Sequence, residues 1–166
     1  HHTDVGGKKG LDEAACLAIA EALQNTGQLD FFNFVGGHLT TDMGLADCIP
    51  PMGNPSSPYL NLAGRLKQQL HLPVLHATRV TDVATARHAI ASGLVDVIGM
   101  TRGHMADPHI VNKIKAGQEH RIRPCVGAGY CLDRLHALGE ALCVHNVATG
   151  REAQLPHIIA TSAQAG

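Results

Sequence analysis

The sequence predicts an α/β fold in which βα units build a parallel sheet. Short, nearly wholly apolar runs rich in β-formers alternate with segments whose apolar residues recur at helical spacing. Strands of that composition suit a sheet covered on both faces, as parallel sheets are. No Gly-x-Gly-x-x-Gly turn follows any of them, which counts against a dinucleotide-binding unit and leaves a barrel or another doubly wound sheet. Three strands cannot close an eight-stranded barrel, so a barrel parent would be represented here only in part.

The elements follow in order. Leu11 to Asn25 places Leu11, Ala15, Leu17, Ile19, Ala20 and Leu23 at helical spacing, with Asp12 and Glu13 in its first turn and Thr26-Gly27 as its stop. Asp30 to Val35 is a β-rich run closed by Gly36-Gly37, hence a first strand. His38 to Pro58 carries proline, glycine and serine and reads as a loop. Tyr59 to Leu70 is a second helix and Pro73 to Ala77 a second strand. Asp82 to Ser92 is a third helix, Val95 to Met100 a third strand, and Asp107 to Ala116 a fourth helix.

Composition sets outer bounds. The chain has 166 residues, 45% apolar, with a formal net charge of −1. Length and composition allow one ordinary globular domain with a sizeable core. Near-neutral charge leaves no nucleic-acid footprint, and three phenylalanines, two tyrosines and no tryptophan offer little for bases to stack on. No apolar run is long enough to span a membrane and no signal peptide is present, so a cytoplasmic setting with reduced thiols is expected. His1-His2 reads as a tag remnant or as internal sequence.

The chemistry concentrates in Arg123-Pro124-Cys125-Val126-Gly127-Ala128-Gly129-Tyr130-Cys131 and the later Cys143. Thiolates set among glycines are soft donors suited to iron–sulfur clusters or zinc. Cys125 and Cys131 flank Ala128 symmetrically, so a thiol at Ala128 would complete a Cys-x2-Cys-x2-Cys run. The loop therefore reads as a four-thiol site lacking its second ligand. Zinc held by the three cysteines with His136 or His145 is one alternative, and purely structural cysteines are another. Cys16, on a helix face, and Cys48, in a loop, read as packing residues.

A second signal lies at two strand ends. Thr78-Arg79-Val80-Thr81-Asp82 follows the second strand, and Thr101-Arg102-Gly103 the third. An arginine at each carboxyl end suits a phosphate, because the planar guanidinium makes bidentate contacts to its oxygens. Barrel enzymes hold phosphate at their last two βα loops. Two surface arginines in ordinary ion pairs are the plain alternative.

Together these residues resemble a known family. Thr78-Arg79-Val80-Thr81-Asp82, the run from Asp96 to Arg102 continuing through Ala106-Asp107-Pro108, and Arg123-Pro124-Cys125-Val126-Gly127 are similar to the C-terminal part of flavin barrels related to old yellow enzyme. The resemblance is to their iron–sulfur branch: 2,4-dienoyl-CoA reductase, trimethylamine dehydrogenase and the amino-acid N-demethylases. The tail from His145 to Glu152 also matches, and the run Arg-Pro-Cys-Val-Gly-x-x-Tyr-Cys looks closest to demethylases of dimethylglycine or N-methylproline.

The resemblance implies a partial (β/α)8 TIM barrel, about strands six to eight, over residues 1–120. An iron–sulfur loop would occupy 121–152, and a linker towards a nucleotide-binding domain 153–166. Thr78, Arg79, Gly99, Thr101 and Arg102 would bind the FMN phosphate. Cys125, Cys131 and Cys143 would hold a [4Fe-4S] cluster that passes single electrons from the flavin to an acceptor. With Ala128 in the second position, a [3Fe-4S] form, a non-thiol ligand such as Tyr130 or His136, or no cluster is equally open.

Catalytic groups are expected upstream of this chain, so it should not turn over substrate alone. His38, Asp42 and Asp47, on the loop after the first strand, are candidate pocket contacts; a carboxylate there would hold a cationic amine. The implied reaction is oxidative N-demethylation of a methylated amine or amino acid, with NAD(P)H-dependent enoate or dienoyl-CoA reduction as the alternative. A non-enzymatic remnant with a zinc or structural cysteine loop is the third reading. An electron-acceptor protein or NAD(P)H, FAD or NAD(P)H on the further domain, and a homo-oligomer complete the expectations, with no nucleic acid and no membrane.

Overall fold

The structure, a computed structural model, describes residues 10–158. His1, His2 and residues 159–166 of the expected linker lie outside the described residues. The chain divides between Met100 and Thr101 into two compact units.

The first unit is the parallel sheet with its helices. α1 (Glu13–Gln24) is capped by Asp12, whose carboxylate accepts the Ala15 N–H at 2.9 Å. β1 (Phe32–Asn33) follows, then α2 (Asp42–Cys48), α3 (Leu60–Lys67), β2 (Val74–His76), α4 (Val83–Ala91) and β3 (Val97–Ile98). The strands run parallel in the order β1-β2-β3, with Phe32 opposite Val74 and Leu75 opposite Val97. This is the α/β architecture with a parallel sheet that the apolar runs predict. Phe32, Val74 and Val95 form one buried cluster with Ala20, Leu60, Ala63 and Ala89. Phe32 and Phe34, two apart and so on one face, stack with centroids 5.6 Å apart. Alanines at 20, 63 and 89 let the helices approach the sheet closely.

Two differences from the sequence reading arise here. The segment from His38 to Pro58 is not all loop, since α2 lies within it, started by Thr41 accepting the Gly44 N–H at 3.1 Å. Cys48 is therefore the last residue of a helix rather than a loop position. The strands are also shorter than their apolar runs, because pairing extends only where a neighbour offers backbone groups.

The second unit holds α5 (Thr101–Ala106), α6 (Ile110–Lys115), a 3₁₀ turn at Glu119–Arg121 and α7 (Tyr130–His136). Thr101-Arg102-Gly103, read as a loop, is the first turn of α5. Among the described residues no helix is long and apolar enough to cross a membrane.

Candidate functional site

In the first unit the site residues gather at the carboxyl end of the sheet. β2 runs out through fully buried His76 to Thr78, which is 5% exposed, and then to Arg79. Arg79 takes a φ of +51°, a left-handed conformation that is rare for a residue with a side chain. Its guanidinium donates to the carbonyls of Pro50 at 3.3 Å and Met52 at 3.4 Å, while its Nε is buried with no partner. At the end of β3, a Cβ placed on Gly99 would stand 2.7 Å from the Ala77 Cβ, so only glycine lets these two strand ends approach so closely. Asp82 closes the turn as the N-cap of α4, accepting the Thr85 N–H at 2.7 Å and its hydroxyl at 2.8 Å.

The three pocket candidates separate. His38 lies against Gly44, where a Cβ would meet the imidazole, and its Nδ1 accepts the Thr40 N–H at 3.3 Å. It lines an open cavity of about 590 Å³ with Cys16, Val35, Tyr59 and the Arg65–Glu13 ion pair. Asp42 and Asp47 do not line that cavity. Asp42 opens α2, and Asp47 sits where its charge, after burial, helps push the Tyr59 hydroxyl above its usual range.

In the second unit Cys125, Cys131 and Cys143 line one small cavity of about 30 Å³, together with Arg102, Ala128 and His145. Gly127 and Gly129, at φ +71° and +80°, bend the loop on either side of exposed Ala128, and Gly129 starts α7, which carries Cys131. Burial pushes the Cys131 thiol above its usual range and neighbouring Cys125 adds to this, against the pull of the Arg102 guanidinium and nearby N–H groups. Cys143 Sγ accepts the His145 N–H at 3.4 Å, and His145 Nδ1 donates to the Pro124 carbonyl at 2.8 Å. Of the non-thiol ligands considered, Tyr130 and His145 reach the cavity wall and His136 does not. Three soft donors on one wall suit an iron–sulfur group or zinc. Among the described residues, though, no three His, Cys, Asp or Glu side chains already surround a common point as metal ligands do.

Two residues that sequence reasoning missed anchor this loop. Asp107 is fully buried and accepts from Lys113 Nζ, the Arg123 N–H at 3.0 Å and the His109 N–H at 3.1 Å. Burial alone would raise its carboxyl, but Lys113 and the two N–H groups outweigh it and hold the acid below its ordinary range. Asn146, 1% exposed, donates to the Met105 carbonyl at 2.9 Å and accepts the Ala148 N–H at 3.2 Å, fixing the segment after Cys143. Asp107-Pro108 was legible as a helix start and as part of a family-like run but not as an anchor, because its partners lie up to sixteen positions away.

No family model matches the chain. Over 151 residues, 91% of this chain, it is 54% identical to the probable N-methylproline demethylase of Rhizobium meliloti (strain 1021), covering 22% of that protein. Over 149 residues, 89% of this chain, it is 46% identical to the multifunctional alkene reductase/demethylase OYE of Caballeronia cordobensis, covering 21% of it. Among solved structures, 2-naphthoyl-CoA reductase in complex with 2-naphthoyl-CoA superposes with a TM-score of 0.79 over 96% of this chain and 24% of that one; at 21% identity the likeness is one of fold. The chain spans about a fifth of the length of the curated relatives it matches.

Proposed function

Because this chain belongs to the family of old yellow enzyme-like oxidoreductases that includes N-methylproline demethylase, we propose that it is part of a flavin-dependent enzyme that oxidatively removes the methyl group of an N-methylated amino acid. The observation that carries this reading is the 54% identity, across 91% of the chain, to the protein named probable N-methylproline demethylase.

The residues fit a flavin phosphate. The unpartnered Nε of Arg79 and the close strand-end approach at Gly99, both at the carboxyl end of parallel strands, support a phosphate site there. Thr78, Arg79 and Gly99 would hold the phosphate of FMN. FMN, when bound, supplies acceptance of a hydride from the N-methyl carbon, after which water releases formaldehyde and the demethylated amine. The protein's part is placement and charge: Arg79 would neutralise the phosphate, and buried Thr78 would fix the end of β2 from which Arg79 departs.

Cys125, Cys131 and Cys143 would hold an iron–sulfur cluster, with Asp107 and Asn146 fixing the two ends of their loop. On this reading residues 1–120 are barrel and 121–152 are cluster loop. His38, on the wall of its cavity, would contact substrate, while Asp42 and Asp47 stand back from it.

Alkene reduction is the second reading, favoured by a relative whose name joins both activities. The longer protein containing this chain should be offered N-methylproline or an activated alkene with NAD(P)H, and formaldehyde and alkene loss followed. Formaldehyde from the amine with no alkene reduction supports demethylation. Alkene reduction without formaldehyde overturns it.

A further inference from the structure

The turn after β2 places an unfavourable backbone conformation at Arg79, and an identifiable clamp holds it there. The Arg79 carbonyl takes three hydrogen bonds from one dipeptide on the preceding loop: the Ser57 N–H at 3.1 Å, the Ser56 hydroxyl at 3.2 Å and the Ser57 hydroxyl at 3.3 Å. Ser57 is itself left-handed, at φ +48°. Ser56 Oγ also lies 3.5 Å from Thr81 Oγ1, two residues beyond Arg79. Two strained residues, 22 positions apart, are thus locked to each other through one acceptor. Strain of this kind persists only where the surroundings over-determine it, and it concentrates where a ligand is gripped.

The clamp has a geometric consequence. In a trans peptide the C=O and the next N–H point in opposite directions, and the chain has no cis bond among the described residues. Pulling the Arg79 carbonyl towards Ser56 and Ser57 therefore aims the Val80 N–H away from them. Val80 is 3% exposed, and its N–H meets no carbonyl of the described residues. A turn through the left-handed region that leaves a backbone N–H without a carbonyl, next in sequence to an arginine whose Nε has no partner, is the kind of backbone that suits an anion.

We propose that Ser56 and Ser57 are positioning residues, holding the Arg79–Val80 peptide so that its N–H and the Arg79 side chain together grip a phosphate monoester. The inference rests on the flavin reading above and takes the FMN phosphate as the ligand. Neither serine touches that phosphate; both act through the carbonyl they restrain.

The test is the affinity for FMN against riboflavin, which differs only by the phosphate, measured by flavin fluorescence on the longer protein freed of flavin. Ser56→Ala with Ser57→Gly removes both hydroxyls, and glycine keeps the left-handed residue relaxed, so folding is retained. The expected result is FMN binding weakened about tenfold, from two neutral hydrogen bonds lost, with riboflavin binding unchanged and Ser56→Thr retaining the preference. Equal loss of both ligands, or no loss of either, overturns the proposal. If the unaltered protein binds neither flavin, or binds riboflavin as tightly as FMN, the flavin-phosphate reading itself falls and this inference with it.

Discussion

His76 is the side chain with the most at stake in the sheet. It is fully buried on β2, donates from Nδ1 to the Phe34 carbonyl at 2.8 Å, and leaves Nε2 without a partner. Burial lowers its basicity below the ordinary value of 6.5, and the hydrogen bond to Phe34 offsets this only in part. The folded chain therefore binds fewer protons than the unfolded one as pH falls. The stability contributed by neutral His76 is complete above the unfolded value and is lost as pH drops from there towards the lower folded value. His76→Asn keeps a donor for Phe34 but cannot titrate. Thermal unfolding followed from pH 7.5 to about 5 should show a steeper fall for the unaltered chain than for the variant; parallel curves would deny His76 this role. Such a role was hidden in the sequence, where one histidine among twelve carries no mark of burial. Arg79 was legible as a residue type but not as a conformation, since nothing short of glycine announces a positive φ.

At the scale of elements, length decided what could be read. α1, with twelve residues, shows its periodicity and its Asp12 cap plainly. α2 and α7 have seven residues each and α5 six, too few for an apolar period to declare itself. α7 was further disguised by glycines, because Gly129 at φ +80° starts a helix where sequence alone suggests that loop continues. That helix lifts Cys131 to the wall shared with Cys125 and Cys143. Spacing thus identified the three thiols, while their common cavity depended on a helix and on the Asp107 and Asn146 anchors. If they bind a cluster, protein purified without oxygen should contain iron and acid-labile sulfide, with an iron-to-sulfide ratio separating a [3Fe-4S] from a [4Fe-4S] form. Ala128→Cys should move that ratio towards equality, and Cys131→Ala should lower the iron content. Zinc in place of iron, or no metal at all, would remove the electron-transfer role from this loop.

For the molecule as a whole, the parallel sheet was legible because each βα unit is local in sequence, whereas the site was legible only as residue types and not as geometry. Its parts come from strand ends and loops, and even the Arg79 clamp joins residues 22 apart. The same sheet carries a physical liability. With the order β1-β2-β3, β1 and β3 each pair on one side only in the described residues. Phe31 and Val35 beside β1 and Val97 within β3 are 56%, 51% and 48% exposed. A barrel covers such positions by pairing every strand with two neighbours, and unpaired backbone groups beside apolar side chains template association. Residues 1–166 made alone should therefore self-associate with rising concentration, measured by light scattering, and should produce no formaldehyde from N-methylproline with added FMN. Charging the β3 edge by Val97→Lys should reduce the association without affecting the Arg79 turn. A chain that stays monomeric at high concentration would mean that this sheet protects its edges without further strands.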